Sequence, residues 1–352
     1  MAAKKPPTVR ELARQLNLSP ATISNVINER RGRVGEATRQ RVLQALEQAN
    51  YQRGGRTRSG PAVEGRSPLT PAQRRSVGFL GVNVYNALSN EWFHGNLSAA
   101  ADGCVRHHYA LSLLLMDAWD PQYCRFMLDD YGLGGALVVA NTHHPVIQML
   151  RERQIPTILL DCYEIGDQYN VVHLDNTGGS VAAVKYLLDL GHRRIGFIGG
   201  LAEASSAVYR QQGYLQALQI AGVVPEADWM HNGHFTEFGG QSAVKILLQR
   251  SPDLTALFCA SDDMAIGAVR GLEELGYRIP EDVSVVGFDG TRKGQTMRKP
   301  LTSVSVDPYQ VGQTACEMLI HLMESRQRQI NKVQVDVSLM VGATSGPPRS
   351  EA

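Results

Sequence analysis

Hydrophobic positions in the first fifty residues recur at helical intervals. Val9, Leu12, Ala13 and Leu16 follow the i, i+3, i+4, i+7 spacing of an amphipathic helix. Thr8 stands as its N-cap, with Glu11 three residues on completing a capping box, and Asn17 supplies the left-handed residue that ends it. A second helix starts at once. Ser19 is its N-cap, Pro20 takes the first helical position, and Ile23, Val26 and Ile27 form the inner stripe. A third helix over 36–49 carries Val42, Leu43, Ala45, Leu46 and Ala49, enough to close a small core. Two short helices separated by a tight turn, with a third behind them, spell an all-α helix-turn-helix headpiece.

Beyond residue 76 the period changes. Short apolar runs predict strands at 77–84, 110–116, 135–140, 156–161, 171–174, 194–199, 255–260, 283–288 and 302–306. Between them fall helical patterns, for example 92–107, 178–190, 207–221, 236–248, 262–275 and 308–323. Repeated β-α alternation predicts parallel, doubly wound sheets, and this many strands fits two lobes with a ligand crevice at the carboxyl ends of the strands.

Charge sharpens this division. Residues 1–75 hold fifteen Lys and Arg against five Glu, a net +10, while the remainder holds twenty against 29 acids, a net −9. A basic head on an acidic body predicts that the head meets a polyanion. Placed in a major groove, the second helix would present Pro20, Ala21, Thr22, Ser24 and Asn25; an asparagine there can bond adenine in bidentate fashion, and Ala21 or the Thr22 methyl can meet a thymine methyl. Other chemistries find little support. The five cysteines form no C-x-x-C pair and read as reduced thiols. Neighbouring histidines (His107 and His108, His143 and His144, His231 and His234) come with no clustered third ligand type, so no metal is expected. The loop at Gly196-Phe-Ile-Gly-Gly200 lacks the dinucleotide order, and no P-loop, G-x-S-x-G or H-E-x-x-H occurs, so neither a cofactor nor an enzyme is expected. A charged N-terminus without an apolar stretch, and the absence of a run of about 18 apolar residues, predict a cytoplasmic protein without a membrane partner.

Specific strings add to the patterning. Thr8-Val-Arg-Glu-Leu-Ala, Leu18-Ser-Pro-Ala-Thr-Ile-Ser-Asn-Val-Ile-Asn28, Val34-Gly-Glu-Ala-Thr-Arg39 and Tyr51 closely resemble the headpiece of the lactose/purine repressor family. Gly191-His-Arg-Arg-Ile-Gly-Phe-Ile-Gly-Gly200, Ser261-Asp-Asp-Met-Ala-Ile-Gly267, Ile279-Pro-Glu-Asp-Val-Ser-Val-Val-Gly-Phe-Asp289 and Pro300–Ser303 extend the resemblance to about Gly342. It implies a transcription regulator, most naturally a repressor, with a periplasmic-binding-protein-like effector domain, acting as a homodimer on a near-palindromic double-stranded DNA operator. The implied base-reading positions are Pro20, Ala21 and Asn25, with Ser19, Thr22, Ser24, Asn28 and Thr38 as phosphate or capping partners and Thr8 at the head's first cap. For a small polar effector, such as a sugar or sugar derivative, the implied positions are Asn90, Trp92, Phe93, Asp161, Arg210, Phe235, Ser261 and Asp289. Ser261 stands where many relatives carry asparagine.

The expected organisation is a headpiece over 1–51, a linker over 52–75, a two-lobed domain over 76–343 and a loose tail over 344–352. The first lobe takes 76–175 plus the helix after Asp307; the second takes 176–304 plus the final strand. The linker departs from the family: Gln52-Arg-Gly-Gly-Arg-Thr-Arg-Ser-Gly-Pro61 opposes the usual hinge helix and its leucine wedge. It is either a passive connection or an arm whose Arg56 and Arg58 enter a narrow A·T-rich minor groove.

Overall fold

The computed structural model describes residues 9–27, 35–48, 75–82, 91–116, 120–130, 132–139, 145–162, 169–325 and 330–349. Two compact units, Met1–Ser67 and Pro68–Ala352, divide the chain. Thr8, Asn28, Asn90, Arg56 and Arg58, with nearly all of the linker, lie outside the described residues.

In the first unit, helix α1 spans Val9–Leu16, α2 Pro20–Ile27 and α3 Glu36–Gln48. The turn after α1 is a Schellman motif: Asn17 sits at φ 54°, its N–H reaches Arg14 O at 3.2 Å, and Leu18 N reaches Ala13 O at 2.9 Å. Ser19 then caps α2, its Oγ accepting from Thr22 N at 3.0 Å. Ala13, Ile23, Val26 and Val42 are buried against one another, with Leu16, Leu18 and Leu46 packed around them. That core is small, so the three helices depend on it jointly.

The second unit holds two six-stranded sheets. The first contains β1 (Ser76–Val82), β2 (Ala110–Met116), β3 (Gly135–Val139), β4 (Thr157–Leu160), β5 (Asn170–Leu174) and β11 (Lys332–Val335), in the order β2-β1-β3-β4-β5-β11. The second contains β6 (Ile195–Gly199), β7 (Met230–Asn232), β8 (Ala256–Cys259), β9 (Ser284–Asp289), β10 (Thr302–Ser305) and β12 (Ser338–Met340), in the order β7-β6-β8-β9-β10-β12. The two sheets thus repeat one doubly wound order, and β12 alone among the described strands runs antiparallel to its neighbour. Alternate residues of β3 show why both faces need cover: Leu137 belongs to the core under α4 (Glu91–Arg106) and α12 (Pro308–Glu324), whereas Ala136 and Val138 belong to the core under α5 (Pro121–Asp130) and α6 (Pro145–Glu152). In the second lobe a single core lies among α7 (Asn176–Asp189), α8 (Ser205–Ile220), α9 (Glu237–Arg250) and α10 (Asp262–Glu274).

Three crossings of the described chain join the lobes, between β5 and α7, between β10 and α12, and between β11 and β12. Val306 and Val337, on the second and third crossings, each pack against both the first-lobe and the second-lobe cores. The expected assignment of the chain's end is therefore amended: β11 completes the first sheet and β12 the second.

Over residues 344–349 the expectation of a loose tail is also corrected; 350–352 lie outside the described residues. Thr344 is fully buried, its Oγ1 accepting from Thr302 N at 2.9 Å and donating to Val285 O at 2.7 Å. Gly346 N donates to Ser284 Oγ at 3.0 Å, and Arg349 pairs with Asp282 at 3.3 Å. The segment straps the amino-terminal ends of β9 and β10. Buried backbone groups there need partners, and the tail supplies them.

His192 anchors the strap. Its Nε2 faces Gly346 O at 2.9 Å and must donate, so Nδ1 accepts from Thr255 Oγ1 at 2.8 Å in the neutral tautomer. Burial lowers its pKa below the ordinary 6.5. Because the folded pKa lies below the unfolded one, the folded state binds fewer protons; His192's contribution is intact above pH 6.5 and is lost as pH falls through the folded value. We expect the stability difference between the wild type and His192→Asn to shrink between pH 7.5 and pH 5, measured by urea unfolding. A constant difference would show that His192 does not titrate on unfolding.

Candidate functional site

The carboxyl ends of both parallel sheets carry the polar residues that the sequence singled out. Asp161 follows β4 at φ 55°, Asp289 ends β9 at φ 122°, and Ser261 follows β8. Non-glycine residues held at positive φ cost about 1–3 kcal/mol each and persist where surrounding bonds enforce them. For Asp289 that enforcement is visible. Gly290 follows at φ +67°, pressed so closely on Ser305 that an added Cβ would lie 2.7 Å from its Cα, and Gly290 N donates to Ser303 Oγ at 3.1 Å.

Arg210 lies at the centre, 4% exposed on α8. Its Nε donates to Asn176 Oδ1 at 2.8 Å, and its Nη1 donates to Ala260 O at 2.6 Å and to Asp289 Oδ1 at 3.0 Å. The guanidinium also lies 3.7 Å from the centre of the Phe288 ring, a cation–π contact worth about 2 kcal/mol when desolvated. The close crossing of α7 and α8 allows this: a Cβ on Gly213 would meet Thr177 O at 2.4 Å. Asn176, fully buried at the start of α7, donates through Nδ2 to Asp161 Oδ1 at 3.0 Å. Asp161, Asn176, Arg210 and Asp289 thus form one hydrogen-bonded chain from the first lobe to the second.

Burial dominates the electrostatics. It raises the Asp161 pKa above the carboxylate range, against the lowering field of Arg210. It pushes Asp289 up to about 6, again opposed by Arg210. Asp262, at the first position of α10, is pushed up to about 7 by burial and by the nearby charge of Asp289. Its carboxylate accepts from Ser303 Oγ at 2.5 Å, Thr291 N at 2.6 Å and Thr291 Oγ1 at 2.9 Å. Sequence reasoning named neither Asn176 nor Asp262. Each opens a helix just after a strand, where a short polar residue reads as a cap.

Other candidates fall elsewhere. Phe93 is fully buried in the first-lobe core, edge-on to Phe79 with ring centres 5.2 Å apart, so the pocket wall expected of it is corrected to a core position. Its apolar size suits either place, and the strand β1 beneath it takes it. Trp92, one position earlier, is half-buried at the margin of that core. Ser261 is occupied as the α10 cap, its Oγ accepting from Met264 N at 3.3 Å. Phe235, at φ 58°, lays its ring over Gly200, where a Cβ would lie 2.0 Å from the ring. In the head, Ser19 and Pro20 are exposed, Thr22 and Thr38 are partly exposed, and Ala21, Ser24 and Asn25 lie within α2.

A clasp absent from the sequence reading joins the lobes: Glu91, opening α4, accepts from Arg292 N at 2.9 Å and Lys293 N at 3.4 Å at the start of α11 (Arg292–Gln295). A groove of about 920 Å³ runs along α8 and the edge strand β7, lined by Val208, Gln212, Leu215, Gln219 and His231. Neither Arg210, Asp161 nor Asp289 lines it, so the convergent polar chemistry lies elsewhere. Among the described residues there is no group of three or more His, Cys, Asp and Glu suited to a metal, and no helix is long and apolar enough to cross a membrane.

Comparison with known proteins bears on each unit. Residues 8–54 match the bacterial regulatory proteins of the lacI family, and residues 184–345 match the periplasmic binding protein-like domain. The HTH-type transcriptional repressor PurR of Salmonella paratyphi B is 29% identical over 340 residues, covering 95% of both chains. Among solved structures, a transcriptional regulator CelR–cellobiose complex shares 26% identity with a TM-score of 0.73, covering 96% of this chain and 99% of that one. A LacI family transcriptional regulator from Mycobacterium smegmatis shares 27% with a TM-score of 0.68, covering 77% and 99%. These relatives are regulators rather than enzymes. With a matching head, a matching body and similarity along nearly its whole length, the chain joins a lacI-family helix-turn-helix head to a periplasmic-binding-protein-like domain and is homologous to the lacI-family transcription regulators.

Proposed function

We propose that the chain is a cytoplasmic, homodimeric repressor whose hold on a near-palindromic operator is set by a neutral polyhydroxylated molecule, a sugar or unphosphorylated sugar derivative, bound between the lobes. The observation that carries this is the hydrogen-bonded chain Asp161–Asn176–Arg210–Asp289 at the carboxyl edges of both sheets, buried at Asn176 and Arg210 and half-buried at its two carboxylates. Carboxylates accept from sugar hydroxyls, and aromatic faces such as Trp92 and Phe235 suit the apolar face of a pyranose. Phosphate fits poorly. Arg210 is already bonded to three protein acceptors, and the carboxylates Asp161 and Asp289 stand at either end of the same chain of bonds. The cellobiose carried by CelR favours the same class. The likeness to PurR favours a second reading, a purine, stacked on those aromatics.

Thermal-shift titration separates the two, because a ligand that binds only the native state raises the midpoint in proportion to affinity. Saccharides should raise it and purines should not; the opposite pattern overturns the sugar reading. Closure on the ligand then shifts the relation between protomers and so the placement of the heads.

In the body, Arg210→Ala should abolish the ligand's effect on DNA binding while the ligand-free variant, where it folds, still binds operator. A mobility-shift titration with a normal ligand response would refute this. In the head, Asn25→Ala should cost about 1–3 kcal/mol of discrimination at one base per half-site; unchanged selection from a random operator library would refute it. In the linker, Arg56 and Arg58 serve as a minor-groove arm, so operators with A·T centres should bind more tightly than those with G·C centres. Equal affinities would leave the linker a passive tether.

A further inference from the structure

We infer that Asn176 is the positioning residue of the effector crevice, fixing Asp161 of the first lobe and Arg210 of the second as one unit across the β5–α7 crossing. The inference rests on the effector reading for its consequence, and on distances alone for its geometry.

Asn176 is the first residue of α7, and Asp175 before it caps that helix, its Oδ1 accepting from Gly178 N at 2.9 Å. The cap fixes the backbone, and full burial fixes the side chain. An amide is the group this place demands. Its nitrogen must face the Asp161 carboxylate, 3.0 Å away, and its oxygen must face the Arg210 Nε, 2.8 Å away. No other neutral side chain of this length donates at one end and accepts at the other. Asp161 also accepts from Leu174 N at 3.4 Å, and among the described residues the amide is the side-chain donor to its carboxylate in this chain of bonds.

The consequence is directional. A ligand hydroxyl donating to Asp161 competes for the oxygen that orients the amide. Any turn of the amide alters the acceptor offered to Arg210, whose other bonds run to Asp289 and to Ala260 at the ends of β9 and β8. Occupancy on the first-lobe side is thereby felt by the second-lobe pair without direct contact between the carboxylates.

Asn176→Asp tests this because it keeps size and the acceptor for Arg210 but sets a second carboxylate against Asp161. The charged and titratable groups acting on Asp161 are Arg210 and His173, with Asp289 beyond Arg210. Two facing carboxylates share a proton as pH falls, and the shared proton restores the missing donor. In the ligand-free protein, the thermal midpoint of Asn176→Asp should lie roughly 5 °C below wild type at pH 8, and at least half of that loss should vanish at pH 5. Asn176→Leu should show a similar loss at both pH values. Parallel pH profiles for the two variants, or no loss in either, would overturn the bridge.

Calorimetric titration with cellobiose as the probe supplies the second arm. The half-saturating concentration of Asn176→Asp, relative to wild type at the same pH, should rise about tenfold at pH 8 and return to within about twofold at pH 5. A variant that binds cellobiose as the wild type does at pH 8 would overturn the positioning role. A wild type that fails to bind any saccharide overturns the effector reading instead, and the bridge then stands or falls on the ligand-free profile.

Discussion

A guanidinium taken out of water has to be met by the protein, so Arg210 dictates terms to everything around it. Its donors need acceptors, and these arrive from separate parts of the chain: an amide at the head of α7, a carbonyl after β8, and a carboxylate at the end of β9. Removing one partner would leave a charge uncompensated, a loss of about 3–5 kcal/mol for a buried pair. Much local architecture follows from this need. Gly213 lets α8 approach α7, Gly290 lets β9 turn sharply after Asp289, and Phe288 offers its face to the cation. The strained backbone at Asp161 and Asp289 belongs to the same arrangement.

The sequence disclosed the helix-turn-helix and the central strands because both are periodic and local. Asn17 announced its left-handed turn, Ser19 its cap, and the apolar runs of β3, β6, β8 and β9 lay close to where they were expected. Short edge elements were less legible. Strands β7, β11 and β12 have three or four residues each, too few for a period to show, and they owe their form to a neighbouring strand. The strap over 344–349 was opaque for a related reason: its bonds run to Ser284, Val285 and Thr302, about forty to sixty residues away, and Pro347 and Pro348 imitate a frayed end.

For the candidate site, Arg210 and Asp289 were legible from motif and strand end together, and they prove to be bonded to each other. Adjacent aromatics were not separable on paper. Trp92 and Phe93 sit one step apart on α4, and only the packing of Phe79 decides that Phe93 turns inward. Asn176 was hidden by its type, since asparagine at a helix start is ordinarily a cap. Here the capping falls to Asp175, which releases the amide for other bonds.

The late position of β11 and β12 matters for how the chain is made. Both sheets are completed by residues 332–340, so on a translating ribosome neither lobe can close until that stretch has emerged. The head, by contrast, draws its core from residues 13–42 and is ready some 290 residues earlier. For more than ten seconds of synthesis, at roughly 5–20 residues per second, each new copy has a finished head and an unfinished body. The order of synthesis thus separates the two units in time, the head being folded before the body can act with it.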